Sequence, residues 1–126
     1  MPTTETLERF VARVEQGAHA EAIAEFYTEH GAIRENLGPP RVGRDALVAH
    51  ERKVLAKARP VHTTCVRPWF VSGSHAVVRW IFRFEWHDGS VTTLHEVAWQ
   101  TWEGERILEE QFFYDPAQVA AVRGGT

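Results

Sequence analysis

The residues best suited to chemistry lie toward the end of the chain: His95, Glu110 and Tyr114. A carboxyl group buried among apolar side chains has a raised pKa and can exchange a proton near neutral pH. An imidazole or a phenol can hydrogen-bond an oxygen atom that gains negative charge during a reaction. If the fold brings the three together, we expect Glu110 to exchange a proton with a bound molecule while His95 and Tyr114 hydrogen-bond an oxygen atom of that molecule.

Glu35 is a second candidate for the proton transfer, in a short strand-like segment between Ile33 and Leu37. Turned inward, its carboxyl would have a raised pKa and would suit a proton shuttle. Turned outward, it would be solvated or paired with a neighbouring arginine, and the sequence leaves both alternatives open. His50 falls on the apolar face of a predicted helix, where a histidine is more often a core residue that donates to a carbonyl group than a base.

Three strands predicted within residues 76–115 must position these side chains. From Ala76 to Trp86, large apolar residues alternate with polar ones, and this period of two indicates a β-strand. The pair Asp88-Gly89 then predicts a tight hairpin turn that places Trp86 opposite Val91.

Counting back from that turn places Phe82 opposite His95 and Trp80 opposite Val97, with Glu96 on the other face. One sheet face is therefore expected to be aromatic and to carry a single histidine, as in a small-molecule pocket. The residues expected to line the pocket are Tyr27, His50, Trp80, Phe82, Phe84, Trp99 and Phe112. The opposite face mixes both charges with apolar groups, which suits an interface between two copies of the chain.

A second turn at Gly104-Glu105 would bring the last strand into the same face. It places Trp99 opposite Glu110 and His95 opposite Tyr114. The His95–Tyr114 pair can be a purely structural hydrogen bond or part of a functional site, and the sequence leaves both alternatives open. If that loop is one residue longer, the register slips, and Glu110 and Tyr114 point to the other face.

The segments before residue 76 predict three helices and two strands. The first helix is capped by Thr3 or Thr4 and stopped by Gly17, and the second runs from about Ala18 to Tyr27. A strand at 32–37, a helix from Gly43 to Arg59-Pro60 and a strand at 62–71 follow, with Pro68 at a bulge or an edge of the last one. At the end of the chain we expect a short amphipathic piece after Asp115-Pro116 and a frayed tail from Arg123. This order predicts an α+β layout, with helices on one face of a curved antiparallel sheet.

Composition excludes several classes of function. A chain of 126 residues is expected to form one domain, and its net charge of -3 argues against nucleic acid or an anionic membrane as the main partner. Cys65 is the single cysteine, so an intrachain disulfide and a thiolate metal cluster are excluded. The histidine spacing indicates no metal site, and no signal peptide or long apolar run is present, so we expect a cytoplasmic protein without a cofactor.

Two stretches resemble a known family. Residues 26–35 (FYTEHGAIRE) and 38–47 (GPPRVGRDAL) are similar to the segment that joins the helical hairpin to the third helix in the nuclear transport factor 2-like superfamily. Gly104 to Ile107 and Tyr114 to Pro116 resemble strings in its ketosteroid-isomerase-like and SnoaL-like polyketide cyclase branches. The resemblance covers nearly the whole chain and implies one domain over residues 1–126. It implies a cystatin-like cone, a curved antiparallel meander sheet wrapped around three helices with an internal apolar pocket, and a homodimer through the convex sheet face.

The family's catalytic residues carry over only in part. Glu35, or Asn36 if the loop gap lies elsewhere, falls where ketosteroid isomerases have their catalytic carboxylate and limonene-epoxide hydrolases a water-holding amide. The isomerases' tyrosine donor in the first helix is missing, since the nearest residues are Phe10 and Val11. The aspartate on the last strand of cyclases and epoxide hydrolases corresponds to Phe112.

The resemblance therefore implies cofactor-independent proton transfer on a hydrophobic carbonyl compound, with Glu35 or Glu110 as the base. The missing residues leave open the alternative of a non-catalytic protein that binds a hydrophobic ligand or a partner chain. Epoxide hydrolysis is disfavoured by Phe112.

Overall fold

The computed structural model describes residues 1–119, with the backbone alone for Arg59 and Pro60. Its elements are α1 (Thr4–Glu15), α2 (His19–Phe26), β1 (Tyr27–Glu35), β2 (Arg41–Val42), α3 (Arg44–Ala56), β3 (Ala58–Ser72), β4 (His75–Trp86), β5 (Val91–Glu103) and β6 (Arg106–Phe113). A helical turn begins at Ala117, and the predicted tail from Arg123 lies outside the described residues. Within residues 1–119, no helix is both long and apolar enough to cross a bilayer.

The first helix follows local sequence signals. The Thr3 hydroxyl accepts a hydrogen bond from the backbone N–H of Thr6 (3.1 Å), which satisfies one of the free donors at the helix start. Gly17 takes a φ of 84°, which favours glycine, just past the helix end. The buried side chains of α1 are Thr6, Leu7, Phe10, Val11 and Val14. The predicted cap, stop and apolar face of this helix are confirmed.

The six strands form one sheet in the order β2-β1-β6-β5-β4-β3. The last four strands are the predicted antiparallel meander, whereas β1 runs parallel to β6. The helices cover the concave face of this sheet, and their apolar side chains form one core with it. The predicted α+β cone is confirmed, with a mixed sheet.

The first strand begins five residues earlier than predicted. β1 starts at Tyr27 instead of Ala32, because residues 27–35 pair with β6 from Ile107 to Phe112. This pairing joins residues far apart in the sequence, so local patterns do not reveal it. Likewise, β3 starts at Ala58, where it pairs with Trp86 of β4, rather than at His62.

The predicted register of the first hairpin is wrong by one residue. The loop has three residues, His87 to Gly89, because Gly89 adopts a φ of 90° and the N–H of Trp86 donates to the carbonyl of Ser90 (2.9 Å). A three-residue loop of this kind is the next commonest after the two-residue turn.

Every side chain of β5 therefore points to the face opposite to the predicted one. Phe82 pairs with Leu94 and Trp80 with Glu96. His95 and Trp99, predicted to line the pocket, lie exposed on the convex face, and Trp99 retains 47% of its surface.

A bulge in β6 restores the predicted inward orientation of Glu110. The turn at Gly104-Glu105 holds as predicted, with Glu103 opposite Arg106, but an irregularity beyond Trp102 inserts one residue on β6. Gln100, rather than Trp99, therefore faces Glu110. Because β5 is also turned over, the two one-residue differences cancel, and Glu110 points inward.

Candidate active site

A cavity of about 420 Å³ lies between the concave sheet face and the helices. Its wall is mostly apolar, as in pockets for small organic molecules. Apolar side chains from every helix and from the sheet contribute: Phe10, Val14, Ile23, Leu47, Val54, Trp80, Phe82, Phe84, Leu94 and Phe112. Trp80 and Phe82 stack, with ring centroids 5.7 Å apart and planes at 24°.

Most of the predicted pocket residues do line this cavity. They are Glu35, Glu110 and Tyr114 among the predicted catalytic residues, and Tyr27, His50, Trp80, Phe82, Phe84 and Phe112 among the predicted binding residues. His95 and Trp99 do not line the cavity, because the register of the first hairpin turns their side chains to the convex face.

Glu110 is the best-positioned carboxyl group of the cavity. It lies on β6 between Ile33 of β1 and Gln100 of β5 and is only 2% exposed. The Tyr27 hydroxyl donates to its Oε1, and Gln100 Nε2 donates to its Oε2 (2.7 Å). Burial raises the pKa of Glu110 to about 7, although both hydrogen bonds oppose that shift by stabilising the charged form.

The donors to Glu110 are themselves fixed in orientation. Trp102 Nε1 donates to Gln100 Oε1 (3.0 Å), so the amide of Gln100 must direct its NH₂ group toward the carboxyl. Gln100 is fully buried and stands opposite Ala76, whose small side chain leaves room for it. Burial, followed by the negative charge of Glu110, raises the pKa of Tyr27, so its phenol stays a neutral donor.

Glu96 is a second buried carboxyl group, which sequence reasoning missed. It lies on β5 opposite Trp80, is 9% exposed and faces the cavity. Burial raises its pKa to about 8, and the charges of three acids, Glu110 foremost, add to the shift. Among residues 1–119 its carboxyl has no hydrogen-bond partner. The sequence predicts an inward-facing Glu96 only if the loop at Gly89 is taken to have three residues instead of two.

Glu35 lies at the rim of the cavity and not in its interior. Its side chain is 45% exposed; Oε2 accepts from Arg41 (3.2 Å) and Oε1 from the Tyr114 hydroxyl (2.8 Å). Asn36, with a φ of 51°, ends β1, and its Oδ1 accepts from the N–H of Tyr114 (3.0 Å). The alternative in which Glu35 pairs with an arginine is therefore the one found.

Two histidines border the cavity from the helices. His50 lies on α3, half-buried, as predicted. His19, the first residue of α2, is buried, with Nε2 2.8 Å from Thr63 Oγ1 and Nδ1 3.8 Å from Glu51 Oε1. Among the described residues, no three His, Cys, Asp or Glu side chains converge as a metal site.

Comparisons with known proteins agree with this fold. A family model for a SnoaL-like domain matches residues 7–110. A protein from Mesorhizobium loti, described as a candidate SnoaL-like polyketide cyclase, is 26% identical, with a TM-score of 0.74 over 90% of this chain and 100% of that one. No curated protein matches this chain significantly.

Two more distant structures show the same fold. A Catenulispora acidiphila protein with a ketosteroid isomerase-like fold, solved with trimethylamine, is 18% identical, with a TM-score of 0.78 over 98% of this chain and 95% of that one. A candidate SnoaL-like polyketide cyclase from a Jannaschia species is 13% identical, with a TM-score of 0.79 over 100% of this chain and 96% of that one.

Proposed function

The chain belongs to the SnoaL-like domain family of the nuclear transport factor 2-like superfamily, and we propose that it is an enzyme that moves a proton on a hydrophobic carbonyl compound without a cofactor. The observation that carries the proposal is the surroundings of Glu110. A carboxyl group with two oriented donors and a pKa near the working pH is the arrangement expected of a general base.

Glu110 would take a proton from the carbon next to the carbonyl group of the substrate. The electrons of that carbon–hydrogen bond move toward the carbonyl oxygen and form an enolate, while Glu110 becomes a carboxylic acid. Glu110 then returns the proton to another carbon of the same substrate. Gln100 keeps the carboxyl in place throughout, since Trp102 fixes its amide.

Tyr27 takes the role of oxygen donor that the sequence analysis assigned to His95. Its hydroxyl is buried and neutral and lies against Glu110, so it can turn from the carboxylate to the enolate oxygen. When this hydrogen bond leaves Glu110, the carboxylate loses a stabilising contact and becomes more basic. Tyr114, whose hydroxyl donates to Glu35 at the rim, would contact the outer part of the substrate.

The test is the exchange of α-protons of a flat hydrophobic ketone, 2-tetralone, with D₂O, followed by proton NMR. Glu110→Gln should lower the catalysed rate by about 10²–10⁴-fold, the contribution typical of a general base. Glu109→Gln is the matched control, because Glu109 is its neighbour on the exposed face. Equal rates for the two variants would refute the role of Glu110.

A binding protein without catalysis is the second candidate. It is favoured by Glu35, which stands where the family carboxylate is expected but is paired with Arg41 at the rim. In that case 2-tetralone would quench tryptophan fluorescence saturably but show no catalysed exchange.

We also propose a homodimer through the convex sheet face. Trp99 and Phe113 are 47% and 42% exposed on neighbouring strands there, with the half-buried Val97 opposite Phe113. Exposed arginines and glutamates surround them, so opposite charges of two copies could pair about a two-fold axis.

A further inference from the structure

Glu96 stands out among the cavity residues because nothing in the fold accounts for it. It is nine-tenths buried and faces the cavity without a hydrogen-bond partner among residues 1–119. A buried carboxyl group in this state is costly, and the fold would be served better by an apolar side chain there. Glu110, by contrast, has two donors.

The charges that face Glu96 are of its own sign. Glu110 on β6, Glu35 on β1 and Glu51 on α3 all raise its pKa. Two tyrosines, Tyr27 and Tyr114, also line the cavity. Among the described residues, neither Glu110 nor Glu96 is in an ion pair, so a positive charge on a ligand would be attracted by both carboxyl groups once they are ionised.

Among the described side chains, no basic residue of the wall forms an ion pair with Glu96. Lys53 of α3 and Lys57, which directly follows that helix, have exposed side chains, and Arg41 of β2 is paired with Glu35 at the rim. His19 Nε2 of α2 lies 2.8 Å from Thr63 Oγ1, and its Nδ1 lies 3.8 Å from Glu51 Oε1. His50 of α3 is the remaining basic residue of the described wall. The side chains that α1, β4 and the rest of β5 contribute to the wall are all apolar.

The aromatic surface beside Glu96 completes a cation site. Trp80 is its cross-strand partner and faces the same cavity, and Phe82 stacks on Trp80. Trp80 itself is only 1% exposed and is covered in part by Phe82, so an alkylammonium group at the Glu96 carboxylate gains from the aromatic wall as a whole, and an apolar body attached to it would fit the remaining wall.

We propose that Glu96, set in this aromatic wall, forms a subsite for a protonated amine, and that the substrate of this cavity is a hydrophobic compound carrying an ammonium group. This inference rests on the proposed function only in taking the cavity as the substrate site. Binding of the cation drives Glu96 into its charged form and releases its proton.

The test compares benzyltrimethylammonium, a permanent cation, with neopentylbenzene, its uncharged isostere, by tryptophan fluorescence titration. Near pH 8 the cation should bind at least about tenfold more tightly than the isostere. Its affinity should fall toward about pH 6, approaching tenfold per pH unit, because Glu96 must lose a proton for the cation to bind. Neopentylbenzene should show no such dependence.

Glu96→Gln should abolish both the preference for the cation and its pH dependence, while Glu109→Gln, a change on the exposed face, should alter affinity by less than about threefold. Equal affinity for the two probes in the wild type would overturn the proposal without any variant. A pH dependence that survives in Glu96→Gln would place the cation at Glu110 and overturn it as well. The α-proton exchange of 2-tetralone tests Glu110 separately, so either proposal can fail alone.

Discussion

Glu96 and Glu110 show how one residue type acquires two chemical characters inside a single cavity. Burial raises the pKa of both, but two hydrogen bonds hold Glu110 at about 7, whereas Glu96 has none and reaches about 8. At neutral pH Glu96 is therefore mostly protonated and Glu110 about half ionised in the empty cavity. A difference in pKa of this kind allows two carboxyl groups of one site to act as an acid and as a base.

These two carboxyls should make stability fall as pH rises. The folded state binds their protons more tightly than the unfolded chain, so the stabilisation is complete near pH 4.5 and is lost as pH rises through about 7 and 8. Each group contributes at most about 1.4 kcal/mol per pH unit in that window. Urea unfolding at about pH 5, 6.5 and 8 should show this slope. Glu96→Gln should flatten it and Glu109→Gln should not, and an unchanged slope in Glu96→Gln would contradict the burial of that carboxyl.

Tyr27→Phe should affect the pH dependence of the reaction as well as its rate. Loss of the hydroxyl removes a hydrogen bond that favours the charged form of Glu110, so the pKa of that carboxyl should rise further. The pH–rate profile for exchange of 2-tetralone should move to higher pH, and the maximal rate should drop about 10²-fold, as expected for a lost oxygen donor. A lower rate with an unshifted profile would show that Tyr27 does not contact Glu110 in solution.

At the scale of elements, the confirmed predictions are those that depend on residues close together in the sequence. The cap at Thr3, the stop at Gly17 and the alternation of β4 each depend on neighbouring residues. The start of β1 and the faces of β5 depend on partners elsewhere in the chain or on a single turn residue. The sequence therefore predicts His95 and Trp99 in the pocket and Glu96 outside it. The loop at Gly89 is one residue longer than predicted, and this moves all three side chains to the opposite face of the sheet.

The register of the first hairpin can be checked directly. Arg79 should show backbone nuclear Overhauser contacts across the strands to Val97, its partner in the structure. In the register predicted from a two-residue turn, Arg79 would face Ala98 instead. Contacts between Arg79 and Ala98 as direct partners would return Glu96 to the convex face and remove it from the cavity.

At the scale of the molecule, the parallel pairing of β1 with β6 assembles the site. It brings Tyr27, at the beginning of β1, beside Glu110 near the end of the chain. The sequence resemblance anticipated a cone with an internal pocket, but it pointed to Glu35 as the carboxylate. The pairing of Glu35 with Arg41 follows from side-chain packing, which no motif encodes.

The proposed dimer makes a further prediction at this scale. Trp99→Glu places a charge at the centre of the exposed apolar patch on the convex face and should shift the protein from twice the chain mass to the chain mass in sedimentation velocity. Leu37→Glu, at an exposed loop residue outside the sheet, is the control and should leave the mass unchanged. A wild-type protein that sediments as a monomer at all concentrations would contradict the dimer.

The two buried carboxyls of the inner sheet face are central to the proposed chemistry, and their titration tests it most directly. In protein labelled with ¹³C at the glutamate δ-carbon, two resonances should titrate near pH 7 and 8, and each should disappear in one variant, Glu110→Gln or Glu96→Gln. If all glutamate resonances instead titrate near the ordinary value of about 4.3, neither carboxyl is buried, and Glu110 is not poised to act as the base.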